Sequence, residues 1–176
     1  MAVGLLGLQK YDEAERELKI AVDCSPNLAE AYVQLGGICL QRGDLDGCLN
    51  YNKMAVQSRA GFSEGYGNIG FVQLQKGNID EAITALEKAV AWNPKFIQAL
   101  TTLANAYLMK GMVEKSIETN LKALDVEPSF AAAHNNLAVA FLENGDHLSA
   151  MEHCDSAIEL GYDVAPEIIK ELEKYR

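Results

Sequence analysis

Four kinds of residue in this 176-residue chain could carry chemistry: one glycine run, three histidines, four cysteines and a large set of carboxylates. Gly65-Tyr66-Gly67-Asn68-Ile69-Gly70 matches G-x-G-x-x-G. That run cradles a pyrophosphate when it follows a strand and opens a helix. Here it falls inside a helical pattern, so we read it as coincidence. His134, His147 and His153 include no i, i+4 pair and no H-E-x-x-H, so their spacing presents no zinc-binding helix face. The remaining combination is His147 and His153 with nearby acids, and packing is the expected role instead. Cys24, Cys39, Cys48 and Cys154 have no C-x-x-C spacing and read as small buried residues. There is no G-x-S-x-G, P-loop or paired nucleophile and base. The expectation is a chain that is not an enzyme and needs neither cofactor nor metal.

The elements that would position these residues are repetitive. Gly43, Gly77, Gly111 and Gly145 stand 34 residues apart. Ala21, Ala55, Ala89, Ala123 and Ala157 form a second column, and Ala14, Cys48, Ala82, Ser116 and Ala150 a third that is always small. Leu35, Ile69, Leu103 and Leu137 are always large, Leu40, Leu74, Leu108 and Leu142 are identical, and Gly36, Gly70, Ala104 and Ala138 are small again. Pro26, Pro94 and Pro128 close three units, with Ala60 and Tyr162 in the other two. Small residues let two helices of a hairpin approach closely. The glycine column suits the left-handed residue that ends a first helix. Asp44, Asn78 and Asp146 can cap the second, Asn78 with Glu81 as a capping box. Proline falls where the second helix must stop.

A period of 34 with these columns resembles the tetratricopeptide repeat family. The resemblance implies an all-α, right-handed superhelical solenoid of about five helix-turn-helix units, over residues 1–28, 29–62, 63–96, 97–130 and 131–164, with a capping helix at 165–176. Helices are expected at 1–8, 11–24, 28–42, 45–58, 62–76, 79–92, 96–110, 113–126, 130–144, 147–160 and 166–175. Two departures stand out: Met112, Lys115 and Ser116 weaken the start of one second helix, and Tyr162 replaces a closing proline. In the cap, Ile168, Ile169, Leu172 and Tyr175 share one face.

In the family the first helix of each unit lines a concave groove that holds a partner. Carried onto this chain, the groove is Val33, Gln34, Gly37 and Leu40; Gly67, Asn68, Phe71 and Leu74; Thr101, Thr102, Asn105 and Leu108; and Asn135, Asn136, Val139 and Leu142. It holds almost no basic residue, so a clamp for a partner's C-terminal carboxylate is not expected. The column Gln34, Asn68, Thr102 and Asn136 resembles an asparagine ladder that grips a peptide backbone, since an amide donates and accepts together. It equally suits hydrogen bonds to neighbouring helices. Gly37 and Gly67 either floor a hollow walled by Val33, Phe71 and Leu74 or mark close helix contacts.

Composition bounds the partners. Apolar residues make up 49% and charged residues 23%, with a net charge of −10. That balance argues against nucleic acid and permits a neutral to basic protein or peptide partner. No apolar run is long enough to enter a bilayer as a span, and the cysteine usage suggests a cytoplasmic setting. The expected function is a protein-interaction adaptor. Two alternatives stay open: a scaffold that self-assembles through Val3, Leu5, Leu6 and Leu8 at an uncapped first unit, giving a homo-oligomer, or a targeting or regulatory piece of a larger enzyme.

Overall fold

A computed structural model describes residues 10–175. Among them are ten α-helices and no strand. They are α1 (Tyr11–Cys24), α2 (Ala29–Gln41), α3 (Leu45–Ser58), α4 (Ser63–Gln75), α5 (Ile79–Trp92), α6 (Ile97–Met109), α7 (Val113–Val126), α8 (Ala131–Glu143), α9 (His147–Glu159) and α10 (Pro166–Leu172). A 3-10 turn, Glu173–Tyr175, follows. Each expected boundary lies within a residue of the observed one, except that the last helix gives way early to this turn. The expected helix at 1–8, and with it self-association through Val3, Leu5, Leu6 and Leu8, lies outside the described residues.

The glycine column works as the spacing implies. Gly43, Gly77, Gly111 and Gly145 have φ of 75–78°, a region open to glycine at little cost. At each, two bonds close the helix end. The glycine N–H donates to Leu40, Leu74, Leu108 or Leu142, and the next N–H reaches Cys39, Gln73, Tyr107 or Phe141. This is the Schellman pairing. The departure at Tyr162 has the same cause. Gly161 has φ 82°, and the Tyr162 N–H donates to the Ala157 carbonyl at 2.9 Å. A proline there would have no hydrogen to give.

Two second helices start as their capping residues suggest. Asp44 accepts from the Gly47 N–H at 2.8 Å, and Asp146 from Ser149 N–H and Oγ at 3.2 and 2.7 Å. Asn78 uses its Nδ2 on Gln73 Oε1 at 2.9 Å. The weak start at Met112 has no side-chain cap.

The chain parts into two compact units between Trp92 and Asn93. In the first, α2 pairs with α3, α4 with α5, α1 packs on α2, and α3 on α4. Its core gathers Leu18, Tyr32, Leu35, Ile38 and Phe62 around Ala14, Ala29 and Ala55. In the second, α6 pairs with α7, α8 with α9, α7 packs on α8, and α10 closes on α9. There Ala138, Ala150, Cys154 and Ala157 are covered by Val164 and Leu172. Each fully buried leucine, such as Leu35, Leu100 or Leu137, contributes about 1.5–3 kcal/mol. The small columns are tight: a methyl at Gly36 would lie 3.4 Å from the Cys48 carbonyl and closer still to the Asn52 amide.

Candidate functional site

In the first unit the first-helix faces come from α2 and α4. Val33, Gln34, Leu40, Asn68 and Leu74 are half-buried, Gly37 is exposed, and Phe71 is 39% exposed. Gly67 is buried, so it offers a ligand little surface. The two helix glycines therefore differ. A methyl on Gly37 would meet nothing within 4 Å. A close helix contact does not explain this glycine, whose position is open surface. In the second unit the face comes from α6 and α8. Asn105 is exposed, whereas Thr102, Leu108, Asn135, Asn136, Val139 and Leu142 are half-buried. Thr101 is 8% exposed, and its hydroxyl donates to the carbonyls of Ile97 and Gln98.

Three members of the amide column have partners inside the protein. Asn68 Nδ2 donates to Oδ1 of Asn52 at 3.0 Å, and Asn52, fully buried, donates in turn to the Cys48 carbonyl at 2.8 Å. Thr102 Oγ1 donates to Gln98 at 2.6 Å. Asn136 Nδ2 reaches the Thr101 carbonyl only at 3.5 Å. Asn120, which stands to Asn136 as Asn52 stands to Asn68, keeps a buried Oδ1 without a partner, as does Ser116 Oγ beside it. So the Asn68 amide has one donor committed to the fold, and the Asn136 amide is held loosely.

None of these face residues is charged. Several cations elsewhere are paired, among them Arg42 with Asp12 and Glu15 at 2.5 and 2.6 Å, Lys76 with Asp46, and Arg59 with Glu30. Arg42 and Lys76 share one column, Asp12 and Asp46 another. This inter-repeat pattern was readable in the spacing and was missed. Exposed pairs of this kind contribute about 0–1 kcal/mol each.

The other candidates are placed clearly. The Gly65–Gly70 run lies within α4, with no strand before it. Gly70 abuts Leu86, and a methyl on Gly65 would come 2.7 Å from Val56 Cγ1. Cys48 and Cys154 are buried as expected, but Cys24 is exposed and Cys39 half-buried. Burial pushes the Cys39 thiol up and the Cys48 thiol to about 11, which keeps both protonated and unreactive. His147 stacks on Tyr175 with ring centroids 3.6 Å apart. His153 meets His134, not His147 (Nδ1 to Nδ1, 2.9 Å). Spacing within one repeat does not announce that pair, because it joins different helices. A surface pocket of about 460 Å³ lies between α4 and α5, lined in part by Tyr66, Ile69, Gln73 and Ala85. Gln73 and Ala85 stand in the columns of Phe141 and His153, whose rings stack on each other.

The comparisons agree with this architecture. Family models described as tetratricopeptide repeat match residues 1–60 and 73–121, and one described as TPR repeat matches 104–145. The chain belongs to the tetratricopeptide repeat family. No curated protein matches it by sequence. Among solved structures, residues 41 to the end of MamA from Desulfovibrio magneticus RS-1 are 27% identical, covering 90% of each chain with a TM-score of 0.78. PilF of Pseudomonas aeruginosa is 16% identical, over 99% of this chain and 82% of its own, with a TM-score of 0.85. YrrB, described as a TPR protein with an unusual peptide-binding site, is 18% identical, over 98% and 88%, with a TM-score of 0.77. The fold class is thus the all-α tetratricopeptide solenoid, whose common use is protein–protein interaction. No helix among the described residues is long and apolar enough to cross a membrane.

Proposed function

We propose that this tetratricopeptide chain is an adaptor that takes an extended or helical segment of a partner protein, neutral to basic in charge, on the first-helix faces of its repeats. The observation that carries the reading is the chemistry of the face on α2 and α4. It combines open apolar surface at Phe71, a clear patch over Gly37, and the amides of Gln34 and Asn68, with no charge among them. Apolar side chains of a partner would bury against Phe71, Val33 and Leu74, and amide oxygens would accept from its main chain. A net charge of −10 on the protein favours a basic segment at longer range. The face on α6 and α8 has the same make-up, with Asn105, Leu108, Asn136 and Val139.

The test is a selection of neutral and basic peptides from a displayed library on the wild-type protein, followed by affinities for three variants. Phe71→Arg and Asn105→Arg change exposed face residues; Met54→Arg changes an exposed residue of α3. The face variants should lose binding with unchanged circular dichroism, and Met54→Arg should keep it. Peptides that bind both face variants as well as wild type would refute the assignment.

A further inference from the structure

We propose that His134 and His153 form a two-imidazole site for one divalent cation of the zinc class. His134 lies in the first turn of α8 and His153 in the middle of α9. Their Nδ1 atoms are 2.9 Å apart. His134 Nε2 is 2.9 Å from the Pro128 carbonyl. A carbonyl only accepts, so Nε2 carries the hydrogen, and in that tautomer Nδ1 is a lone pair on the side of His153. That is the posture of a metal-ligating histidine, whose far N–H is fixed by a backbone carbonyl. His153 is steadied from the other side by Phe141, stacked with centroids 5.6 Å apart and planes 2° from parallel.

The distance suits a metal. Two Zn–N bonds of about 2.0–2.1 Å at a tetrahedral angle put their nitrogens about 3.3 Å apart. The pair must open by about 0.4 Å, and each lone pair must turn by about 35° from the Nδ1–Nδ1 line to meet at the cation. Without metal, one hydrogen bridges the gap, donated by His153 Nδ1 to His134 Nδ1. On binding, that hydrogen leaves Nδ1 and His153 takes the Nε2–H tautomer, so both Nδ1 lone pairs face the cation. Imidazole nitrogens suit zinc, nickel and copper over calcium or magnesium. No group of three or more His, Cys, Asp or Glu side chains is gathered for a metal among the described residues. Two waters would complete the tetrahedron, one more than at zinc sites with three protein ligands.

The columns set this repeat apart. The facing places hold Tyr32 and Tyr51, Tyr66 and Ala85, and Leu100 and Thr119 in the repeats before it. Those residues supply the substitutions for a test that preserves the fold. In reduced, untagged protein carrying Cys24→Ser, which removes the exposed thiol, zinc is titrated by calorimetry and by imidazole nitrogen NMR. One equivalent should bind, with Nδ1 shifts at His134 and His153. His134→Leu and His153→Thr should each weaken binding by at least about tenfold, and His147→Leu, on the column of Leu45 and Ile79, should not. Affinity should also fall between pH 7.5 and pH 5, because protons compete for the rings. The absence of any ring-nitrogen shift at millimolar zinc, or zinc uptake that persists in both pair variants with circular dichroism intact, would overturn the assignment.

Discussion

Gly37 and Gly70 are both helix glycines of the first unit, and their alanine variants should differ in stability. Alanine at an exposed helix interior is favoured over glycine by about 1 kcal/mol. At Gly37 a methyl meets nothing within 4 Å, so Gly37→Ala should gain that amount. At Gly70 the same methyl would sit 2.9 Å from Leu86 Cδ2 and 3.1 Å from the Ala82 carbonyl, closer still to Leu86 Cγ. Carbon atoms pack best at about 3.5–4.0 Å. Leu86 is fully buried and cannot swing away. Overpacking of about 1–3 kcal/mol therefore outweighs or cancels the helix gain, and Gly70→Ala should be neutral to about 2 kcal/mol less stable. The gap between the two variants is about 1–3 kcal/mol, or about 2–12 °C in melting temperature for a chain of this size. Trp92 is the only tryptophan in the sequence, and its ring lies against Gly61 in the same unit. Urea unfolding followed by its fluorescence therefore reads this unit directly. Leu86→Cys, which copies the residue at Cys154 in the last repeat, should couple with Gly70→Ala by about 1 kcal/mol or more, since it relieves the overlap. Equal shifts for Gly37→Ala and Gly70→Ala, or strict additivity with Leu86→Cys, would refute the packing argument. Because Gly37 lies on the proposed binding face, its alanine variant should stabilise the protein without tightening peptide binding.

Further expectations concern buried polar groups and pH. Asn68→Ala leaves Asn52 Oδ1 buried and unpaired, so it should destabilise by about 1–3 kcal/mol. Asn136→Ala, whose bond is long, should leave the melt almost unchanged, and it is the cleaner probe of peptide affinity. Ser116→Ala restores the residue of Ala14, Ala82 and Ala150 and removes a buried unpaired hydroxyl; stability should be unchanged or rise by about 1 kcal/mol, as measured by urea midpoint. Burial, and then the coulombic effect of His134, hold the folded-state proton affinity of His153 below the ordinary value of histidine, against the opposing Glu152 carboxylate. The unfolded chain then binds the proton more readily. The stability it contributes is full above the ordinary histidine pKa and is lost as pH falls through the folded value. His153→Thr should flatten the loss of melting temperature between pH 7 and pH 5.

Much of the fold was legible because one period carries it. Every column reports the same environment several times, so the glycine turns, the small seams and the leucine cores reinforce one another. The proposed site was less legible, because residues in one column share a backbone place but not a set of neighbours. Gly67 and Gly37 look alike in a helical pattern, yet one is buried and the other open. Cys24 read as a packing residue and is exposed. The four members of the amide column read alike, and only packing separates Asn68, bound to Asn52, from Asn136, loosely held.

From the sequence alone came the unit length, the helix boundaries, the turn chemistry and the lack of charge on the first-helix face. These depend on residues a few places apart on one helix or turn, where backbone geometry is set locally. The tertiary structure alone decided which amides are already committed, which glycine a methyl could replace, and that His134 meets His153. Those outcomes depend on ångström-scale distances between different helices, which a shared period does not specify.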